Sequence, residues 1–170
     1  MGCVCSMLDF LKTVCENNCY KLEEFEELNK RVKYYISVIP INLDSPEKRD
    51  HFITIVNPDT KTISTKITIY DADVATTYSV LRELVLYNIK NSIIVVLNTK
   101  DGYSIINNLM DGPLSNSVFY TLKTRKDKLN ICEQEYPVYG LRYTHKLQKE
   151  QPKDEDFGLY IAKVAMKNNQ

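Results

Sequence analysis

The sequence predicts an α/β fold on a mixed sheet, with helices on both faces and an amphipathic helix preceding it. Three observations lead there. Extended runs rich in Val, Ile and Thr follow one another between residues 32 and 69, an antiparallel start. At Val74 the apolar spacing changes from alternation to helical steps of three and four. Beyond that helix, Ile93 to Leu97 is an unbroken apolar run, which suits a strand buried on both faces. A helix between two strands is a crossover and brings parallel pairing with it.

The elements follow in order. Val4, Leu8, Leu11, Cys15, Leu22 and Phe25 recur at helical spacing, so residues 1–31 are expected to form an amphipathic helical arm, with Asn17-Asn18 as a break point. Glu23, Glu24, Glu26 and Glu27 would lie on its wet side. Residues 32–170 are then the α/β domain. Val32 to Leu43 reads as a strand that Pro40 ends, and Phe52 to Val56 as the next. Asn57-Pro58-Asp59-Thr60 is a tight-turn sequence leading into the alternating strand Ile63 to Ile69. Val74, Tyr78, Leu81, Val85 and Ile89 mark one helical face, with Asp71 or Asp73 as N-cap. A short helix, Tyr103 to Met110, ends at Asp111-Gly112-Pro113. Residues 114–134 carry no clear period, and Ser117 to Leu122 suits helix or strand. Val138 to Leu147 is expected as the last strand. Asp154, Glu155 and Asp156 then suit the start of a final helix with Phe157, Ile161 and Val164 inward.

Totals narrow the function classes. With 170 residues, 44% of them apolar, the chain can bury a core without disulfides or metals. Lys and Arg balance Asp and Glu at 22 each, so a nucleic acid or acidic membrane would have to meet a local patch. No apolar run is long enough to span a bilayer, and no basic flank precedes the first apolar stretch, so neither a membrane span nor a secretory signal is expected. Five cysteines, an odd number, point to reduced thiols and a cytoplasmic setting. Frequent Lys, Asn, Ile and Tyr, with no Trp, is the bias of AT-rich coding sequence.

The element order resembles the ribonuclease H-like fold, whose core runs β-β-β-α-β-α-β-α. Val95 to Tyr103 (VVLNTKDGY) is similar to that family's fourth strand and the turn after it, and Tyr143 to Ala165 to its last strand, histidine loop and final helix. The resemblance covers residues 32–168 and implies two divalent metals, Mg²⁺ or Mn²⁺, held by four acids with a histidine nearby. Carried over residue by residue, the set is incomplete. Asp44 lies at the far end of the first strand rather than within it. The first turn of the 74–89 helix has no acid, and Glu83 comes two turns later, about 10 Å along the axis. Asp101 falls one residue late, with Lys100 in the acid's place. His145 lies near the expected histidine, and Asp156 near the fourth acid, which the family places inside the final helix, where Gly158 and Leu159 stand here. The resemblance thus implies a degenerate member that binds rather than cuts, with no cofactor. The alternative is a metal-dependent nuclease using Asp44, Asp101, His145 and Asp156.

Other motifs bear on partners. Met1-Gly2-Cys3-Val4-Cys5-Ser6 fits the N-myristoylation pattern, with Cys3 and Cys5 as palmitoylation sites that would hold the chain on the cytosolic face of a membrane. Cys3-x-Cys5 and Cys15-x3-Cys19 lack zinc-pair spacing and fit packing residues better than a metal site. Leu22 and Phe25, on the stripe of the arm, are expected to dock a protein partner. Lys123, Arg125, Lys126, Arg142 and Lys146 lie among Tyr136, Tyr139 and Tyr143 and are candidates for nucleic-acid contact, although Asp127, Glu133 and Glu135 dilute them. There is no P-loop, dinucleotide fingerprint or glycine-flanked nucleophilic Ser, and His51 reads as a loop residue before a strand.

Overall fold

The computed structural model describes residues 7–125 and 134–168. The elements are α1 (Met7–Val14), β1 (Tyr20–Glu24), β2 (Tyr35–Ile39), β3 (His51–Asn57), β4 (Thr62–Ile69), α2 (Val74–Glu83), β5 (Ile93–Asn98) and α3 (Lys100–Met110). After them come β6 (Tyr120–Arg125), β7 (Gln134–Tyr139), β8 (Leu141–Arg142), α4 (His145–Glu150) and α5 (Phe157–Asn168). Among the described residues six strands form one mixed sheet in the order β1-β4-β3-β2-β5-β8. The pairs from β1 to β2 are antiparallel, whereas β2–β5 and β5–β8 are parallel. β6 and β7 form a separate two-stranded ribbon.

Alternation of side chains across the central strands fills two cores. Ile36, Val38, Ile94 and Val96 point to the face covered by α1, α2 and α3, where they meet Leu11, Leu81 and Ile105. Tyr35, Ile39, Val95 and Leu97 point to the other face, where α5 supplies Tyr160, Ile161 and Ala165. Continuous apolar runs are what strands with two covered faces require. The 93–97 run is covered on both faces except at Ile93, which is half-buried, and β2 is buried more completely, at all five positions. β2 is flanked on both sides by strands, and Pro40, which cannot donate to the ladder, follows it directly.

The Asn57-Pro58-Asp59-Thr60 turn forms as expected. Asn57 accepts from Asp59 N–H through its side chain and from Lys61 N–H through its carbonyl, with Lys61 left-handed at φ 56°. Asp73 caps α2 by accepting from Thr76 N–H at 2.6 Å. That helix changes pitch earlier than the sequence suggests: Leu84–Asn88 is a π turn, with Ile89 N–H donating to Leu84 O at 2.7 Å.

The N-terminal region departs from expectation. The helix occupies only Met7–Val14, and residues 20–24 are an edge strand paired to β4, with Leu22 opposite Ile67. Met7, Leu11 and Cys15 sit one turn apart and are buried, and burial raises the Cys15 thiol to about 11. After Asn17-Asn18 the side chains alternate, with Tyr20 and Leu22 turned toward the core and Lys21 exposed. Glu-rich sequence has helical propensity, but pairing with the otherwise open edge of β4 decides the conformation. Leu22 therefore packs half-buried on the core instead of forming a free stripe, while Phe25 lies just past β1 and is 61% exposed. The expected last strand, 138–147, is likewise divided into the end of β7, the short β8 and the start of α4.

Candidate functional site

In open α/β sheets ligands bind outside the carboxyl ends of parallel strands, where the strand order changes direction. Here that place lies between β2 and β5. The chain leaves β2 for β3 and β4 on one side and returns through α2 to β5 on the other. Two clusters meet at this end, one on each face of the sheet.

On the α2–α3 face the centre is His51, the first residue of β3, which is fully buried. Its Nε2 lies 3.1 Å from Asp101 Oδ2 and its Nδ1 2.6 Å from Thr77 Oγ1. A carboxylate only accepts, so Nε2–H donates to Asp101, and Nδ1 of the neutral ring accepts from the Thr77 hydroxyl. Arg49 reaches both Asp101 oxygens at 3.3 Å. Asp101 is set in place by the first turn of α3, where Thr99 caps the helix by accepting from Gly102 N–H at 3.1 Å. Nearby Asp50 is buried and held by Asn42 Nδ2 and by Asp71 N–H, the latter at a left-handed residue with φ 47°.

Hydroxyl, imidazole and carboxylate in a row is the arrangement that activates nucleophiles in hydrolases. Here the hydroxyl cannot act on a substrate, because Thr77 and His51 are both 0% exposed. The chain of bonds instead ties the start of α2 and the start of α3 to the start of β3. Burial is the main cause that pushes the His51 imidazole below its ordinary 6.5, outweighing the opposing pull of Asp101. The unfolded chain then takes up a proton that the folded chain refuses. Stability from this group is present above the ordinary value and is lost as pH falls below it. Thermal melts between about pH 7 and pH 5 are expected to show a falling Tm in the wild type, and a shallower fall in His51→Gln. Equal slopes in the two proteins would contradict a buried neutral imidazole.

On the α5 face a cavity of about 170 Å³ is lined by Ile39, Asn42, Asp44, Lys66, Asp156 and Gly158 among others. Asp156 accepts from Leu159 N–H at 3.2 Å, capping α5, and also pairs with Lys66 Nζ from β4. Gly158 is glycine for a reason of space: a Cβ there would come within 2.4 Å of Thr54 Oγ1. Its carbonyl accepts from the buried Ser37 hydroxyl at 2.6 Å.

The acids named from the sequence are thus divided between two places. Asp44 and Asp156 line one cavity, and Asp101 is bound to His51 and Arg49 on the other face of the sheet. His145 begins α4, is exposed and belongs to neither cluster. Among the described residues no three His, Cys, Asp or Glu side chains are grouped so as to hold a metal ion. Of the basic candidates, Lys123 and Arg125 lie on β6, Arg142 on β8 and Lys146 on α4, the last two exposed. Lys126 and the expected acylation sites Gly2, Cys3 and Cys5 lie outside the described residues. His51, Thr77 and Arg49 were not among the candidates, since nothing local marks His51 as the partner of an acid fifty positions away.

Compared with known families, with curated proteins and with solved structures, the chain matches none of them. No helix among the described residues is long and apolar enough to cross a membrane.

Proposed function

We propose that the chain is a non-catalytic interaction module on a degenerate ribonuclease H-like scaffold, acting by contact with a protein partner in the cytoplasm. The scaffold reading is supported by the strand order. Three consecutive antiparallel strands are followed by a helix that crosses to a parallel strand on the far side of the first. In this reading β1 is an addition at the edge, beside β4.

The observation that carries the non-catalytic part is the engagement of the acids. Two-metal hydrolysis needs carboxylates free to converge on a pair of cations. Asp101 is committed to His51 and Arg49, Asp156 to Lys66 and to the amide of Leu159. The first turn of α2 has no acid, and the place inside α5 where the family carries one belongs to Gly158, which has no room for a larger side chain. One feature favours the alternative of a Mg²⁺- or Mn²⁺-dependent nuclease: Asp44 and Asp156 share a cavity. An assay on RNA–DNA hybrid with either metal decides between the two readings, and no cleavage is expected. For the partner, Phe25 beside the edge strand is the large apolar side chain we assign to docking, with Leu22 supporting it from the core side. Acyl chains on Gly2, Cys3 and Cys5 would add a membrane contact on the cytosolic face.

A further inference from the structure

The opposite end of the parallel pair, where β2 and β5 begin, carries two cavities lined by neighbouring stretches of the chain. One, about 320 Å³, is lined by Lys33, Asn91, Asn116, Ser117 and Tyr120 among others. The second, about 190 Å³, is lined by Lys30, Leu86, Tyr87, Asn88 and Lys90. Lys33 and Asn91–Ile93 line the first, and Lys30, Leu86–Asn88 and Lys90 the second, so the two lie on successive parts of the same two stretches. The hydrogen bond from Ile93 N–H to Tyr34 O, at 2.9 Å, joins the two stretches.

Three properties of this end go together. It is basic: neither lining contains an acid, and among the described residues Lys30, Lys33 and Lys90 meet no carboxylate. It offers aromatic rings: Tyr87 is 58% and Tyr120 51% exposed, the latter braced edge-on by Tyr139 at 5.8 Å between centroids. It holds uncommitted amides: the side chains of Asn91 and Asn116 hydrogen-bond to no described residue. Asn91 is also left-handed at φ 67°, a conformation that Asn tolerates better than most residues. Ammonium groups suit a phosphate, exposed rings suit a base, and free amides suit base or sugar edges. A volume of this size is at the small end of ligand sites and takes one nucleotide.

We propose that the amino end of the β2–β5 pair is a nucleotide-binding site, for a free nucleotide or one unit of a single strand. Lys30, Lys33 and Lys90 hold the phosphate, and Tyr120 and Tyr87 are the stacking platforms. The site lies about 20 Å from the His51–Asp101 cluster, the length of β5, and does not depend on the interaction-module reading.

The test uses the full chain with two probes: uridine 5′-monophosphate followed by calorimetry, and a labelled short oligothymidine followed by fluorescence anisotropy. Binding of the mononucleotide assigns the site to free nucleotides, and binding of the oligomer alone assigns it to a strand. In either case Lys33→Glu with Lys90→Glu is expected to weaken binding about tenfold or more, and Tyr120→Ala about fivefold or more. Both lysines are exposed, so the variants should melt as the wild type does; the corresponding alanine pair serves if they do not. Lys48→Glu, exposed in the loop at the other end of β2, should leave affinity unchanged. The proposal is overturned if neither probe binds, if the lysine variants bind as the wild type does, or if Lys48→Glu weakens binding as much as they do.

Discussion

Val95→Asp is expected to destabilise the chain by several kcal/mol. Val95 is fully buried in the middle of β5, opposite Ser37 of β2, and belongs to the core that α5 covers. Among the described residues no Lys or Arg is buried, so the new carboxylate would be either an unpaired charge or a neutral acid without a partner. Either costs several kcal/mol, on the order of 4, against a total stability of roughly 5–15 for a domain of this kind. Circular dichroism and urea melts read the effect directly. A variant with an unchanged melting temperature would show that β5 is not a strand covered on both faces.

Gly102→Ala is expected to cost about 3 kcal/mol, an unusual penalty for a single methyl group inside a helix. Alanine normally favours a helix over glycine by about 1 kcal/mol. At Gly102, however, the added Cβ would lie 2.1 Å from the carbonyl oxygen of Leu97, a backbone atom of β5 that cannot turn aside. The first turn of α3 would have to lift away from the end of the strand, taking Asp101 with it. The His51–Asp101 and Arg49–Asp101 bonds would lengthen together. Gly102→Ala should therefore melt earlier, and, because it loosens the Asp101 contact that draws the His51 imidazole upward, it should deepen the fall of Tm below about pH 6.5, the opposite of His51→Gln. If the alanine variant is as stable as the wild type or more so, helix propensity outweighs the close approach and this account of the turn fails.

These two sites also mark where the sequence was informative. The run from Ile93 to Leu97 has one reading, because five apolar residues between polar ones leave no face for water. The Asn57-Pro58-Asp59-Thr60 turn and the Asp73 cap are equally local: their hydrogen bonds join residues two to four apart. The strand Tyr20–Glu24 is not local. Its sequence, YKLEE, suits a helix, and what makes it a strand is the edge of β4, more than forty residues further along. β6 was illegible for a related reason, since a two-stranded ribbon shows no continuous apolar face in its own sequence.

The functional site divides along the same line. Asp101 was named only through the resemblance, one residue past the place where the family carries its acid. His51 was not named, although it is buried completely, because a polar residue at the start of an apolar run looks like the end of a loop. Asp44 and Asp156 were named from the resemblance, and they lie on one cavity. Lys66, which neutralises Asp156, came from the alternating strand where a lysine reads as an ordinary exposed position. Which acids are free and which are spent is a matter of long-range partners, and one-dimensional patterns do not carry it.

The central claim is that the scaffold binds without cutting, and hydrolysis of an RNA–DNA hybrid by the full chain tests it most directly. The assay is run with Mg²⁺ and with Mn²⁺, with Asp101→Asn as the companion variant. The account predicts no cleavage above the level of the companion variant with either metal, because Asp101 and Asp156 are held by basic side chains and α2 has no acid in its first turn. Metal-dependent cleavage by the wild type that disappears in Asp101→Asn would contradict it and establish the nuclease instead.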